Sequence, residues 1–322
     1  MRAPLKRLLL LALALLAFAS AMALAAPFGW PFELFSHFRP QYAVAALLMA
    51  PALAAFRRPG WSTVAVVLAV WHGAPVAQRA LAEAPMVACA GASFGVVTAN
   101  LRYSNREFHR FTAWLGEHPA DLLVVQELTP AWAEALEALP EYPHRHLVER
   151  GDAYGIGVLS RWPLEGVEPV DLAGDGHPSL VGDVIVDGRR LRFYALHARW
   201  PMTPSLARSR NLALDRVATL VRTGPAPAVV VGDFNLSPDS PAFGRLLGQS
   251  GLRDALAGPR WQPTWLTGFW PLALRIDHIL LSNELCVDGS TVAESIGSDH
   301  RPVTARLRLP AAHPAVPPGP GT

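Results

Sequence analysis

Cysteine is almost absent from this chain, with two in 322 residues, Cys89 and Cys286. Two thiols allow one pair and exclude a disulfide framework. They read either as small buried hydrophobes or as one bridge formed outside the reducing cytosol. No Ser or Cys stands in a nucleophile motif, which argues against a covalent enzyme intermediate. No internal repeat is present, which sets aside solenoid architectures. Charge is sparse, at 17% of residues, and the net +2 hides an asymmetry. Residues 1–86 carry seven bases (Arg2, Lys6, Arg7, Arg39, Arg57, Arg58, Arg79) against two acids (Glu33, Glu83), or +5, which leaves −3 for the rest. A mildly acidic remainder lacks the broad basic footprint that tracks a nucleic-acid backbone.

What is abundant is apolar residues near the start. Leu8 to Ala26 has no charge and follows Arg2, Lys6 and Arg7. A membrane span needs about 20 such residues, and the Ala-rich run at 21–26 also resembles a signal-peptide cleavage region. Tyr42–Phe56 and Trp61–Val76 are two further uncharged stretches, separated by Arg57-Arg58-Pro59-Gly60. The expected pattern is three spans, the last two forming a hairpin around the arginines. Loops rich in Arg and Lys stay cytoplasmic. Three spans then carry the chain from about residue 80 to the outer face, the periplasm of a bacterium, as a multi-pass inner-membrane protein. Residues 1–86 are thus expected to be a membrane anchor, 87–309 a folded domain, and the Pro- and Gly-rich 310–322 a disordered tail.

Within the domain, strand-like and helix-like runs alternate. Phe94–Ala99, Leu122–Val125, Tyr154–Ser160, Val181–Asp187, Leu191–Leu196, Ala228–Val231, Ile276–Leu281 and Val303–Leu309 read as strands. Asn105–Glu117, Pro130–Leu139 and Ser205–Arg222 read as helices. Gly188-Arg189 marks a hairpin. Hairpins beside helical crossovers predict an α/β fold, a four-layer sandwich of two mixed sheets flanked by helices.

Several strands end in chemically loaded residues. Glu127 closes an apolar run, where a carboxylate is costly unless it meets a cation or hydrogen bonds. Asp233 and Asn235 follow Gly232, two apart on an extended segment and so on one side. Ser298-Asp299-His300 and Arg275-Ile276-Asp277-His278 add carboxylates and imidazoles. Hard oxygens of this kind suit Mg²⁺ or Mn²⁺, and with an Asn and a His they supply what metal-assisted attack on a phosphate ester requires. The plain readings are a helix-capping acid at Glu127 and an ordinary turn at 233–238. His278 alternates to the opposite side from Asp277 and reads as structural.

The runs Thr98-Ala99-Asn100-Leu101-Arg102, Val125-Gln126-Glu127, Leu196-His197, Gly232-Asp233-Phe234-Asn235, Arg275 to Ile279 and Gly297 to Pro302 together resemble the endonuclease/exonuclease/phosphatase superfamily, with its deoxyribonuclease I-like fold. The resemblance implies that Glu127 is the principal ligand of Mg²⁺ or Mn²⁺, with Asn100 beside it and Asp299 close to the metal. It implies that Asp233 orients or deprotonates the attacking water and Asn235 holds a phosphoryl oxygen. His300 would contact the scissile phosphate, oriented by Asp277, and His197 would protonate the leaving oxygen or bind phosphate. Some members pair that histidine with a Glu, for which only Glu149 is a candidate in this chain. The expected function is phosphate-ester hydrolysis at a membrane surface. The alternatives are a nuclease acting on DNA or RNA, or an inactive membrane-tethered binding module. No obligate protein partner is evident. The aromatics Trp261, Trp265, Phe269 and Trp270 suit base stacking, a lipid interface or simple packing.

Overall fold

The computed structural model describes residues 2–81, 91–258 and 261–310. The Leu- and Ala-rich N-terminal runs are strong helix formers and give α1 (Arg2–Leu24), a short α2 (Glu33–Ser36), α3 (Arg39–Ala55) and α4 (Pro59–Leu81). Arg57 ends the third helix with a left-handed φ of 56°. Pro59 opens the fourth, where its missing N–H costs nothing. The helices α3 and α4 lie side by side. Leu13 of α1 packs with Ala50, Leu53 and Ala65, and Ser20 Oγ meets His72 Nε2 at 2.8 Å. Among the described residues, Ala3–Leu24 and Pro59–Leu81 are long and apolar enough to cross a membrane. Of the three expected spans, α3 has only 17 residues, short of the roughly 20 that a perpendicular crossing needs.

The domain is a sandwich of two six-stranded sheets. The first contains β1 (Ser93–Asn100), β2 (Leu122–Gln126), β3 (His144–Val148), β4 (Ile156–Ser160), β11 (Cys286–Val292) and β12 (Val303–Arg308), ordered β11-β12-β1-β2-β4-β3. The second contains β5 (Leu164–Asp171), β6 (Pro178–Val186), β7 (Arg189–His197), β8 (Ala228–Asp233), β9 (Arg253–Asp254) and β10 (Asp277–Leu281), ordered β5-β6-β7-β8-β10-β9. Val96, Leu122 and Val124 from one sheet share a core with Val229, Val231 and Ile279 from the other. Outside the first sheet, α5 (Phe108–Glu117) and α6 (Pro130–Glu137) bury Phe111, Trp114 and Trp132. Outside the second, α7 (Pro204–Thr223) and α8 (Pro241–Ser250) bury Leu214, Val217, Phe243 and Leu246. This is the predicted four-layer order.

Each sheet has one parallel pair at its centre, β1 with β2 and β7 with β8. A parallel pair needs a crossover, and α5 and α7 provide them. The hairpin expected at Gly188 is present, with Asp187 and Gly188 both at positive φ (49° and 73°), as a two-residue turn of the twist-matched kind demands. Strands β3, β5, β9 and β11 were not anticipated. All four are sheet edges, β5 exposes alternate pairs, and none carries a continuous apolar run. Cys286 opens β11 and is disulfide-bonded. Cys89, the other cysteine, and residues 311–322 of the expected disordered tail 310–322 lie outside the described residues.

The connection from α1 to α3 docks on the sandwich. Glu33 pairs with Arg210 of α7 and accepts the Ser240 hydroxyl. His37 Nδ1 lies 2.8 Å from Ser237 Oγ and accepts the Ser237 N–H at 3.3 Å. Gln41 Nε2 donates to the Ala273 carbonyl at 2.7 Å. Arg79, near the end of α4, pairs with Asp239.

Candidate active site

The two central strand pairs end at one rim, and that rim gathers the motif residues. Asn100 ends β1, and Glu127 follows β2. His197 ends β7 opposite Asp233, the last residue of β8, and Asp233 in turn faces Asp277 at the start of β10. Gly232 makes this approach possible. A Cβ there, at φ 145°, would lie 1.9 Å from the Leu196 carbonyl oxygen, so no other residue fits. Three non-glycine residues of the motif loops, Arg102, Glu127 and Asn235, hold left-handed φ values of 59°, 57° and 48°. Backbone strain of this sort persists only where its surroundings over-determine it, and it gathers at functional sites.

Asn100 Nδ2 donates to Glu127 Oε1 and to Asp233 Oδ2, each at 3.1 Å, while its Oδ1 accepts the Arg102 N–H. Tyr103 N–H fixes the other Glu127 oxygen at 2.8 Å. Asp233 Oδ1 accepts the Asn235 N–H at 2.8 Å, and Asn235 Nδ2 donates to the Ala198 carbonyl. His300 Nδ1 bonds Asp277 Oδ2 at 2.9 Å. The Nε2 atoms of His300 and His197 stand 3.9 and 3.7 Å from Asp233 Oδ2. Asp299 lies 3.8 Å from Arg102 Nε.

Burial governs the charges. Burial, with Asp277 beside it, pushes Asp233 up to about 7 despite the opposing pull of His300. For His300, burial opposes the charge, but the Asp277 carboxylate and its hydrogen bond prevail and raise it to about 10. His197 goes the other way. Burial first, then its neighbours His177 and His300, hold it well below the ordinary imidazole value. The site thus keeps one imidazole charged, one neutral, and a carboxyl poised near neutrality for proton transfer.

A hard divalent cation fits this donor set. Carboxylate oxygens of Asp233 and Asp277 lie within 4.8 Å of each other and of a ring nitrogen of His300, all buried. Asp277 Oδ1 is buried without a hydrogen-bond partner among the described residues. Each Glu127 oxygen accepts one bond from the described residues, leaving lone pairs for a cation. Asn100 turns its amide nitrogen, not its oxygen, to the carboxylates, because two negative oxygens flank it. Glu127 and Asp299 both line the cleft, but the converging group is the one built on Asp233.

The cleft has a volume of ≈ 490 Å³ and includes Glu127, His197, Asp233, Asn235, Asp299 and His300 in its lining. His278 is fully buried on the other side of its strand, between Phe234 and Phe243, with Nε2 bonded to the Leu236 carbonyl at 2.8 Å. Glu149 is exposed. The neighbours of His197 are instead Tyr154 and the buried His177, whose ring centroid lies 5.3 Å away. Sequence reasoning missed both, and also Leu34, His37, Phe38, Trp200 and Met202, which line the same cleft. One signal was available: Glu33 is a lone acid in an otherwise apolar and basic stretch.

The fold recurs among solved structures. A humanized D. rerio TDP2 superposes with a TM-score of 0.55 at 18% identity, covering 67% of this chain and 99% of its own. Sphingomyelinase C from Streptomyces griseocarneus gives 0.52 at 20%, covering 67% and 99%. The 3′ phosphatase NExo from Neisseria, bound to a DNA hairpin product, gives 0.54 at 23%, covering 66% and 98%. No curated protein matches in sequence. The sequence pattern of the Endonuclease/Exonuclease/phosphatase family matches residues 97–300, from the middle of β1 to His300. That span runs through every residue of the rim, and the chain belongs to the endonuclease/exonuclease/phosphatase family.

Proposed function

We propose that this chain hydrolyses a phosphodiester or phosphomonoester at a membrane surface, using Mg²⁺ or Mn²⁺. The observation that carries the reading is the buried Asp233, Asp277 and His300 group facing Asn100 and Glu127 across one cleft. Glu127 would hold the cation, with Asp299 and Asn100 close by. When bound, it supplies Lewis-acid polarisation of a phosphoryl oxygen. Asp233, raised to about 7, takes a proton from the water whose oxygen attacks phosphorus. The P–O bond to the leaving group then breaks, and the leaving oxygen takes its proton from solvent. His197, held neutral, hydrogen-bonds the phosphoryl group rather than acting as the acid. Charged His300 and the amide of Asn235 brace the oxygens that gain charge in the transition state.

Proteins of the same fold include a sphingomyelinase C and a 3′ phosphatase bound to a DNA hairpin, which supports a phosphate-ester substrate. The net −3 beyond residue 86 favours a small or lipid-linked ester over a nucleic-acid polymer. Bases at Arg2, Lys6 and Arg7 and again at Arg57 and Arg58 support an inner-membrane anchor with the domain facing outward. The disulfide at Cys286 agrees with an oxidising compartment. The test is turnover of bis(p-nitrophenyl) phosphate and p-nitrophenyl phosphate by the full chain. Activity is expected with Mg²⁺ or Mn²⁺ and none in excess chelator. Full activity in chelator, or none with either metal, rejects the reading.

A further inference from the structure

The catalytic cleft has a second, apolar side that the chemistry above does not use. Leu34 and Phe38 come from the anchor's α1–α3 connection, Trp200 and Met202 from the loop after β7, and Trp265 from the aromatic segment before β10. Trp200 and Met202 are 57% and 50% exposed. Large apolar side chains left in water beside a polar site mark a place where apolar ligand surface is received.

The position of this wall says what kind of ligand. Phe38 directly precedes α3, and Leu34 follows the end of α1 at Leu24 by ten residues. With α1 and α4 as spans, the cleft opens at the level where they leave the membrane. Exposed aromatics share that level. Phe28 and Trp30 lie in the same connection, and Phe269 and Trp270 lie in the segment that Gln41 of α3 ties down through Ala273. Trp side chains in such a belt sit at the lipid headgroups. A ligand reaching this cleft from the bilayer surface would arrive with its phosphate toward Asp233 and its chains along Leu34 and Phe38.

We infer that the substrate is a lipid phosphate ester, and that the anchor segment Leu34–Phe38 is part of its binding site, seating the apolar portion. This rests on the phosphoesterase reading and goes beyond it. The anchor then does more than tether the domain. It supplies specificity that the domain by itself lacks.

The test uses the full chain in nanodiscs with a series of alkyl p-nitrophenyl phosphates (methyl, butyl, octyl), so that the leaving group stays constant. The expected result is a kcat/KM that climbs with chain length, by up to about four-fold per methylene seated. The double variant Leu34→Ser with Phe38→Ser should flatten that climb. Trp200→Ser with Met202→Ser, on an exposed loop, should flatten it too, with the melting temperature held. If the climb persists undiminished in both variants, it comes from partition into the bilayer, and the inference fails. A flat series with measurable turnover overturns it while leaving the phosphoesterase reading intact. Faster cleavage of a single-stranded DNA or RNA oligonucleotide than of the octyl ester also overturns it, since the aromatics would then be stacking bases. No turnover of any ester with Mg²⁺ or Mn²⁺ removes both.

Discussion

Glu33 and Arg210 form a buried ion pair between the N-terminal helical segment and the domain, with Arg210 wholly inaccessible and Glu33 nearly so. Burial alone would raise the Glu33 carboxyl, but the Arg210 guanidinium and the Ser240 hydroxyl hold it below its usual value. The same guanidinium donates to the Asn235 carbonyl at 3.2 Å, so the pair lies directly beneath the catalytic loop. Glu33→Ala should leave Arg210 buried and unpaired, at a cost of about 3–5 kcal/mol. A clear drop in melting temperature together with reduced turnover is expected. Replacing both partners, Glu33→Leu with Arg210→Met, should recover much of the stability. A melting temperature for Glu33→Ala equal to that of the parent chain would show that the docking is not formed.

Asp233→Asn and His300→Ala should each lower kcat by roughly 10²–10⁴-fold with a modest change in melting temperature, since removing one proton-transfer group typically costs that much. His278→Ala should behave in the opposite way, losing stability through the cavity between Phe234 and Phe243 while turnover per folded molecule survives. Equal losses of turnover in His278→Ala and His300→Ala, with both folded, would contradict a catalytic His300 beside a purely structural His278.

Glu127→Gln should raise the Mg²⁺ concentration needed for half-maximal activity, because the neutral amide offers the cation a weaker ligand than a carboxylate. Metal titration of activity, with calorimetric binding alongside, measures it. An unchanged metal requirement would move the cation to the Asp233 group.

Stability should fall in mild acid. Burial lowers His278 to about 4 from an ordinary 6.5, so the unfolded chain takes up the proton first as pH drops. The penalty is absent above pH 6.5, builds between 6.5 and 4, and reaches about 3 kcal/mol at the lower end. His37, also lowered to about 4 by burial and by Arg210, adds in the same direction and window. Melting temperatures across pH 4–8 test the slope, and His278→Asn should make it shallower.

Protease added to spheroplasts should digest the domain from outside, and an alkaline carbonate wash should leave the chain in the membrane pellet. Protection until lysis would reverse the orientation.

Much of this molecule was legible in its sequence, for identifiable reasons. The central strands β1, β2, β8 and β10 are buried along almost their whole length, so their apolar stretches stand out, and each meets a polar or charged residue at its rim end, Asn100, Glu127, Asp233 and Asp277. Their ends mark the rim where Glu127, Asp233 and Asp277 stand. Edge strands β3 and β5 expose much of their surface and leave no such trace. The helix α8 depends on its Ser240 cap rather than on a long apolar stripe. Partnerships between distant segments were not legible at all. His177 beside His197, and Glu33 beneath Asn235, are set by how the sheets and the N-terminal helices pack, which no local pattern encodes.

The hydrogen bond from Asn100 to Asp233 joins the last residue of a strand in one sheet to the last residue of a strand in the other. Among the described residues no backbone ladder links those two sheets; it is chiefly hydrophobic contact that holds them in register. The alignment of the reacting groups is thus calibrated by packing some distance behind them. A void opened at Val231 or Ile279, both fully buried between the sheets, would let the halves drift by fractions of an ångström. Catalysis, which tolerates less misplacement than folding does, would register that drift while the chain was still folded.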